Sequence, residues 1–407
     1  MKARNLHSYS TGLLVFFGIV LFTPSITFSI IPAEIFPWAL LFSLLYIKKI
    51  SLNDIVIFSI FYLYSIYSLF LYADLSETFR SFIAYMNVIL IFLLISNSKF
   101  TNFEYLLNIF RLYFISLCVF GIFQYLGLIG FLEPFLQALI PRASSDALSE
   151  MGRGITLLSS EPSRAAYEFV FMYVLFRFFF IKNYKLIFDV LLIIFVIFFI
   201  QSAMGAFLIF FFLVIYYRLK FIVPISVISI FFGAYLLNVE GGGRAVSVTQ
   251  SIISMSSFDG ILSFLLDASG FRLVSIYASF SSLFEYWFGH GIGSWRESSI
   301  LALETTSINP SDLSYFVENG GGNWVPIRPT APFFAFLLDF GLFVFIVMYF
   351  LFYKLKKITK FSREGKNIVF LFIAYFMTMG AAGNPIPWIV LAFVISYEIY
   401  QRDLDAY

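Results

Sequence analysis

Apolar residues occur in long runs along this chain, and most runs are close to the roughly 20 residues with which a helix crosses a bilayer. The alternation of apolar and polar positions that marks a membrane β-barrel is missing. The pattern predicts an all-α, polytopic membrane protein, with residues 1–407 in a single membrane domain. We expect about twelve transmembrane helices, at 11–31, 34–47, 54–72, 79–96, 104–128, 163–181, 186–201, 203–217, 220–238, 331–353, 366–380 and 385–401. The pair within 186–217 can also be read as one hairpin.

Composition and charge agree with this assignment. Hydrophobic residues make up 60% of the chain and charged residues 12%, against about 45–50% and about 25% in soluble domains. If the N-terminus is cytoplasmic, twelve spans place all twelve lysines on the cytoplasmic side, as the positive-inside rule requires. We therefore expect both termini to lie in the cytoplasm.

The outward side is predicted to hold arginine without lysine. A planar guanidinium can bind a phosphate or a carboxylate through two hydrogen bonds at once, which a lysine ammonium cannot do. The arginines therefore favour an anion site, although pairing with nearby Asp and Glu at the membrane surface would give the same pattern. The outward arginines are Arg80, Arg142, Arg153, Arg164, Arg244, Arg272, Arg296 and Arg328.

Two long segments are predicted to be outward loops, 129–162 and 239–330. In the second and larger loop, apolar residues recur at helical spacing. We expect an amphipathic helix there that lies along the outer membrane interface. The residues that form its apolar row are Leu273, Ile276, Tyr277, Phe280, Phe284 and Trp287.

Few side chains are available to bind a metal ion. Cys118 is the single cysteine and lies within a predicted span, where apolar packing is its expected role. His7 and His290 are predicted to lie on opposite sides of the membrane. The chain has no paired Cys and His spacing typical of a zinc site, so we expect no metal, no cofactor and no nucleic-acid partner.

The stretch "SSEPS" (159–163) precedes an apolar run and predicts a helix start. Pro162 suits the first helical turn, and either Ser159 or Ser160 is expected to cap the exposed amides. Glu161, Arg164 and Glu168 follow at i, i+3 and i+7 and should share one helix face. Ionisable groups that enter a span usually face a cavity or one another, so we expect a polar cavity, with a structural ion pair as the alternative.

Three stretches resemble the bacterial O-antigen polymerases of the Wzy type. "RGITLLSSEPSRAAYEF" (153–169) is similar to the R-G-hydrophobic-S-E-P-S stretch common in that family. "FRLVSIYASFSSLFEYWFGHGIGSW" (271–295) resembles the family's arginine, aromatic helix and G-x-G-x-G turn. "APFFAFLLDFGLFVF" (331–345) resembles the span after the large loop, where an acid, here Asp339, precedes a glycine, here Gly341.

The resemblance implies a metal-independent glycosyltransferase in the bacterial inner membrane. Such enzymes transfer a growing glycan from undecaprenyl pyrophosphate to a hydroxyl of a fresh lipid-linked repeat unit on the periplasmic face. Undecaprenyl-pyrophosphate-linked oligosaccharide and the lipid bilayer are the implied partners, and a chain-length regulator is a further candidate. O-antigen ligases share the architecture but carry a histidine near the end of the large loop, where this chain has Arg328 in "VPIRPTAPFF" (325–334).

Alternatives from other classes remain. An O-antigen ligase-like transferase would use similar chemistry, and twelve spans also suit a transporter of lipid-linked oligosaccharides. A non-enzymatic scaffold would need no outward arginine cluster.

The polymerase chemistry indicates roles for nine residues. Arginine would stabilise the charge of the leaving pyrophosphate, a carboxylate would act as base on the acceptor hydroxyl, and aromatic rings would stack on sugars. The candidate catalytic residues are Glu161, Arg272 and His290, the last of which could instead cap the glycine turn. The candidate substrate-binding residues are Arg153, Arg164, Arg244, Arg328, Tyr167 and Trp295.

The predicted topology can be tested with single cysteines. Cysteines introduced at Ser257 and Ser311 should react with a membrane-impermeant thiol reagent in intact cells, because both positions lie in the predicted large outward loop. A cysteine at Ser362 should not react, because it lies on the cytoplasmic side. Labelling at Ser362 would overturn the twelve-span arrangement.

Overall fold

The computed structural model describes part of the chain. The described residues are 52–72, 74–96, 104–132, 134, 154–159, 161–217, 271–356, 362–378, 380 and 382–405. Within these ranges every regular element is helical, which agrees with the all-α prediction. The predicted spans at 11–31, 34–47 and 220–238 lie outside the described residues.

The helices follow the apolar runs closely, and their bounds are as follows. They are α1 (Leu52–Tyr72), α2 (Leu75–Ser96), α3 (Glu104–Tyr125), α4 (Pro162–Phe180), α5 (Lys185–Ile194), α6 (Ala203–Tyr217), α7 (Phe271–Ser282), α8 (Trp295–Glu304), α9 (Ser314–Gly320), α10 (Pro332–Phe340), α11 (Val344–Lys356), α12 (Arg363–Thr378) and α13 (Pro385–Asp405). A π-helical turn, Phe195–Ile200, continues α5. Short 3₁₀ turns occur at Gly130–Leu132, Pro310–Asp312 and Gly341–Phe343.

The described helices include four that are long and apolar enough to cross a membrane. They cover Asp54–Tyr72, Leu75–Leu93, Leu107–Tyr125 and Pro332–Tyr353, and the last of these joins α10 to α11 through the 3₁₀ turn. Their mean hydropathy lies between 1.2 and 2.4. The chain is therefore a membrane protein, while the count of twelve spans and the sidedness of the loops stay predictions.

An aromatic core holds the membrane helices together. α2, α4, α12 and α13 contribute long runs of buried residues to it. The indole of Trp388 on α13 meets the Phe372 ring of α12 edge-on, with 4.9 Å between centroids, and the Phe92 ring of α2 at 5.9 Å. Edge-to-face contacts of this kind favour a definite orientation of the rings, so the core fixes how these helices sit beside one another.

A buried ion pair lies within the α4–α6 part of the structure. Arg177 and Asp189 are 6% and 1% exposed. The guanidinium binds the carboxylate directly, with Arg177 Nε 2.9 Å from Asp189 Oδ1, and the hydroxyls of Tyr173 and Tyr217 donate to the same carboxylate. A charge in an apolar interior needs such partners, and Glu364 of α12 adds a second carboxylate, with its Oε1 3.5 Å from Arg177 Nη1.

The helices of the large loop share a second, smaller apolar core. It contains Val274 and Ala278 of α7, Leu303 of α8, Phe316 of α9 and Leu338 of α10. Leu338 belongs to a membrane helix, so this core joins the loop to the membrane helices.

The predicted amphipathic helix corresponds to α7 and the turn after it. α7 buries its small residues Ser275, Ala278 and Ser279. Five of the predicted apolar row are 43% to 69% exposed, namely Leu273, Tyr277, Phe280, Phe284 and Trp287. The helix therefore presents large apolar side chains outward, as a helix at a membrane interface does.

The helix α10 ends at Gly341, and the glycine turn of the large loop bonds to the backbone there. The amides of His290 and Gly291 donate to the carbonyls of Leu338 (3.0 Å) and Asp339 (2.9 Å), and Leu342 N donates to Trp287 O (2.8 Å). Backbone groups without partners are costly in an apolar surrounding, so the break in the helix and the turn depend on each other.

Glycine is required in this turn because the backbones touch. Gly293 has φ +93°, and a Cβ there would lie closer than 3.0 Å to Thr78 Cα of α2. Gly291 has φ +86°, and its Cβ would lie 2.8 Å from Ser68 Cα of α1. The turn therefore presses against the ends of two membrane helices.

We predict that Gly293→Ala destabilises the protein far more than Gly322→Ala. Both glycines have positive φ, but a Cβ at Gly322 would meet only Ser311, at 3.7 Å. Gly322→Ala should cost only the backbone strain of about 1–2 kcal/mol, while Gly293→Ala adds a clash with α2. Thermal unfolding in detergent, followed by tryptophan fluorescence, measures both variants, and equal midpoints would contradict the contact.

Candidate functional site

A cavity of about 430 Å³ lies where the large loop meets the membrane helices. Its wall comes from the N-terminal halves of α2 and α4, the first turns of α7 and α8, residues 326–330 before α10, and the turn between α12 and α13. α6, α9 and α10 each add one residue, Met204, Tyr315 and Ala335. The charged and polar residues that line it are Arg80, Ser81, Glu161, Ser163, Arg164, Arg272, Thr330, Arg328 and Asn384.

The segment before α4 is held by backbone contacts. Ile155 N donates to Phe199 O of the π-helical turn (3.0 Å), and a Cβ on Gly154 would lie closer than 3.0 Å to the carbonyl of Ile200. Leu157, at φ +53°, donates its amide to Gln124 Oε1 of α3 (2.9 Å). These contacts fix the position from which α4 begins.

The start of α4 differs from the predicted cap. Glu161 is the N-cap residue, with extended backbone, and Pro162 takes the first turn as expected. Of the two serines expected to cap the helix, Ser159 does not do so: Glu161 takes the N-cap position without a side-chain cap bond, and Ser159 Oγ donates to Glu168 Oε2 (2.7 Å). Ser160 lies outside the described residues. Glu161 Oε2 accepts from Ser163 Oγ (3.3 Å), so this carboxylate stands at the positive end of the helix dipole.

Glu168 serves as an anchor for the cavity wall. Its carboxylate is 6% exposed and also accepts from Asn384 Nδ2 (2.6 Å). Asn384 Oδ1 in turn accepts from the Ile386 amide at the start of α13 (3.0 Å). Glu161 and Arg164 line the cavity while Glu168 does not, so the face that we expected all three to share divides into a cavity part and a packing part.

The cavity is strongly cationic. Four arginines line it, Arg80, Arg164, Arg272 and Arg328, and Glu161 is the one acid among its described lining residues. Four positive charges and one negative charge leave a formal charge of +3. A cleft with one sign of charge and apolar walls concentrates ions of the other sign, so an anion is the ligand that this cavity suits.

Arg328 is tied to the membrane helices through Tyr85 of α2. Its Nη2 donates to the Tyr85 hydroxyl (3.4 Å), which donates to Asp339 Oδ2 of α10 (2.5 Å). The guanidinium carbon lies 5.9 Å from the centre of the Tyr85 ring. Tyr85 and Asp339 are 0% and 3% exposed. The two residues lie beneath the cavity wall, and only Arg328 of the three lines it.

Aromatic rings form another part of the wall. Phe271 of α7 and Tyr315 of α9 are neighbours, with 5.0 Å between ring centroids, and Tyr167 and Trp295 also line the cavity. The Thr330 hydroxyl is buried without a hydrogen-bond partner in the described structure.

The structure brings together six of the nine residues that the sequence singled out. Those six line the one cavity and are Glu161, Arg164, Tyr167, Arg272, Trp295 and Arg328. Arg153 and Arg244 lie outside the described residues. Sequence reasoning left out Arg80, which it had recognised only as an outward arginine, and it gave no signal for Asn384 or Thr330.

His290 lies elsewhere. It is buried in the glycine turn, its Nδ1 is 3.4 Å from the Tyr72 hydroxyl, and its Nε2 has no hydrogen-bond partner in the described structure. It is not among the lining residues of the cavity, so we leave it out of the site proposed below.

Metal-binding groups are not visible in the described ranges, where no three His, Cys, Asp or Glu side chains lie close enough together to hold an ion. Metal independence stays a prediction.

The fold and the cavity define a helical membrane protein with a cationic, partly aromatic site. Comparison of the chain with protein-family models, curated proteins and solved structures finds no match. The function therefore has to be argued from the residues of the cavity.

The burial of His290 predicts a pH effect on stability. Burial lowers the pKa of His290 to about 4, from the ordinary value of 6.5. The unfolded chain then binds a proton more readily than the folded protein, so the stability from neutral His290 is complete above pH 6.5 and is lost as the pH falls towards 4. The difference in melting midpoint between wild type and His290→Gln should shrink over that range, and a difference that does not vary with pH would contradict the burial.

Proposed function

We propose that this protein is a polysaccharide polymerase that transfers a growing glycan from undecaprenyl pyrophosphate to a lipid-linked repeat unit. The observation that carries the proposal is the meeting of four arginines and Glu161 in one cavity beside the membrane helices. In this proposal the protein lies in the bacterial inner membrane, the cavity faces the periplasm, and both termini are cytoplasmic.

The arginines would bind the pyrophosphate and stabilise its charge as it leaves. The bond between the glycan and the pyrophosphate breaks, and both of its electrons go to the phosphate oxygen. Guanidinium groups bind such oxygens in pairs of charge-assisted hydrogen bonds, and donors fixed in advance cost no reorganisation during the reaction. Arg80, Arg164, Arg272 and Arg328 come from four separate segments, so they can surround the group.

Glu161 would act on the acceptor. A hydroxyl of the fresh repeat unit attacks the anomeric carbon, and its proton must be accepted by a base. The Glu161 carboxylate is partly exposed and lines the cavity together with the arginines. It can therefore reach a sugar hydroxyl in the same space that holds the pyrophosphate.

The remaining wall suits a glycan on a lipid carrier. Phe271, Trp295 and Tyr315 line the cavity with aromatic rings that would contact sugars, whereas Tyr167 is only 4% exposed and packs against Tyr375. The cavity also lies next to α7, whose outward apolar side chains would border the lipid. The substrate in this proposal is an amphiphile whose charged pyrophosphate lies between an apolar chain and a polar glycan.

Two alternative functions each have an observation in their favour. An O-antigen ligase-like transferase would use the same arginines, but residues 325–334 contain Arg328 where such ligases carry a histidine. A transporter of lipid-linked oligosaccharides is favoured by the interrupted helix at Gly341, since broken helices are frequent in transporters. The freed carbonyls at that break, however, bond to the glycine turn, so the break has a structural explanation.

The test is reconstitution of polymerisation. Protein purified in detergent should convert a lipid-linked repeat unit into a ladder of longer glycans without other proteins. The reaction should proceed in excess EDTA, because the proposal assigns the charge stabilisation to arginine. A protein that extends no glycan, or that needs an added divalent cation, would contradict the corresponding part of the proposal.

We predict that Arg272→Lys and Glu161→Gln lower turnover by roughly 10²–10³-fold or more. Arg272→Lys keeps the charge but loses the two-pronged donor, and Glu161→Gln keeps the size but loses the base. Gel analysis of product lengths in equal amounts of purified protein measures the effect, and the ladder should collapse to single repeat units.

The matched control is Arg296→Lys. Arg296 is an outward arginine that binds Glu77 at 3.0 Å, is 60% exposed and lies outside the cavity wall. The Arg296→Lys protein should therefore make a normal ladder of glycan products. Normal ladders from well-folded Arg272→Lys and Glu161→Gln proteins would instead remove both residues from the mechanism.

A further inference from the structure

Among the described residues, two buried clusters combine tyrosine, aspartate and arginine, and their geometries differ. In the first, Arg177 binds Asp189 directly through Nε and Nη2, and Tyr173 donates to the same carboxylate. In the second, the Tyr85 hydroxyl stands between Arg328 and Asp339. The guanidinium of the first cluster also lies 3.5 Å from Glu364 Oε1 of α12, so it has two carboxylate partners, whereas the second cluster ends at the cavity.

The direction of the hydrogen bonds in the second cluster is settled by the chemistry of the groups. A tyrosine hydroxyl has one proton, and Tyr85 gives it to the Asp339 carboxylate at 2.5 Å. The Tyr85 oxygen can therefore only accept from Arg328 Nη2, which lies at 3.4 Å. The carboxylate polarises the hydroxyl and strengthens it as an acceptor, because neighbouring hydrogen bonds in an apolar interior reinforce one another.

The intervening hydroxyl also separates the two charges. At Arg177 the carboxylate contacts the guanidinium and offsets its charge at close range. At Arg328 the Asp339 carboxylate is one hydroxyl further away and acts on the guanidinium through Tyr85. Tyr85 additionally offers its ring to the guanidinium, at 5.9 Å.

We propose that Tyr85 and Asp339 are positioning residues for Arg328, which they hold in the orientation that binds the phosphate groups of the substrate. The inference rests on the proposed function only in taking a pyrophosphate group as the ligand of the cavity. Asp339 also accepts the Gly291 amide through its main-chain carbonyl, so the same residue holds the glycine turn and, through Tyr85, the arginine.

The experiment measures binding of inorganic pyrophosphate to the full-length protein in detergent by isothermal titration calorimetry. Wild type is compared with Tyr85→Phe, Arg328→Ala and the double variant. Tyr85→Phe removes only the hydroxyl, since the ring packs among aromatic neighbours such as Phe61 and Phe336. The matched control is Tyr173→Phe, which loses a bond from a buried tyrosine to a buried aspartate away from the cavity.

If the inference holds, Tyr85→Phe weakens pyrophosphate binding by roughly fivefold to tenfold, the loss expected for one ordinary hydrogen bond. The same substitution should have no further effect once Arg328 is alanine, because Tyr85 acts through that side chain. Tyr173→Phe should bind pyrophosphate like wild type, although loss of its buried hydrogen bond lowers the melting midpoint. Additive effects of Tyr85→Phe and Arg328→Ala, or wild-type binding by Tyr85→Phe, would overturn the inference.

Pyrophosphate binding by Asp339→Asn is a second and sharper test. This variant also serves in place of Tyr85→Phe if Tyr85→Phe does not fold. Loss of a negative charge near a cationic cavity should by itself tighten binding of an anion. Loss of the carboxylate that orients Tyr85 should weaken anion binding, because an amide oxygen accepts the Tyr85 hydrogen bond less well than a carboxylate does. Weaker binding supports the positioning role, and tighter binding contradicts it.

The binding results also distinguish failure of this inference from failure of the proposed function. Wild type that binds no pyrophosphate would refute the anion site and the inference together. Wild type that binds, with Arg328→Ala weakened and Tyr85→Phe unchanged, would leave the proposed function standing and refute the positioning role alone.

Discussion

The bonding between the end of α10 and the glycine turn is the constraint on which the site depends. A helix that breaks in an apolar surrounding leaves carbonyls that need other partners. Here the amides of His290 and Gly291 satisfy the carbonyls of Leu338 and Asp339. The large loop carries Arg272 and Arg328, so the same bonds that complete the helix also set where these charges stand relative to α2 and α4.

Bringing four guanidinium groups into one cavity works against folding. Like charges repel, and the repulsion grows where apolar walls limit screening. Glu161 offsets one charge, and Asp339 contributes another through the Tyr85 hydroxyl. The arrangement is therefore held by the surrounding packing, including the Glu168 anchor, and an anionic ligand would relieve the remaining repulsion.

The sequence predicted the helices well and the contacts between distant segments poorly. The run at 203–217 coincides with α6, because one long apolar stretch is a local property. Glu161 and Arg272 could be selected because ionisable residues at the ends of apolar runs are unusual. Tyr85 could not be selected, since a tyrosine within a span resembles many others and its partner Asp339 is 254 positions away. The role of Ser159 was misjudged for the same reason, because a bond to Glu168 overrode the local capping preference.

One helix, α7, joins two environments. Its first turn supplies Arg272 to the cavity, while Leu273, Tyr277 and Phe280 point away from the protein. A helix with such a surface takes its depth from the thickness and composition of the surrounding bilayer. Arg272 and these exposed apolar side chains share one short helix, so any movement of that helix at its outer surface also moves a charge of the cavity.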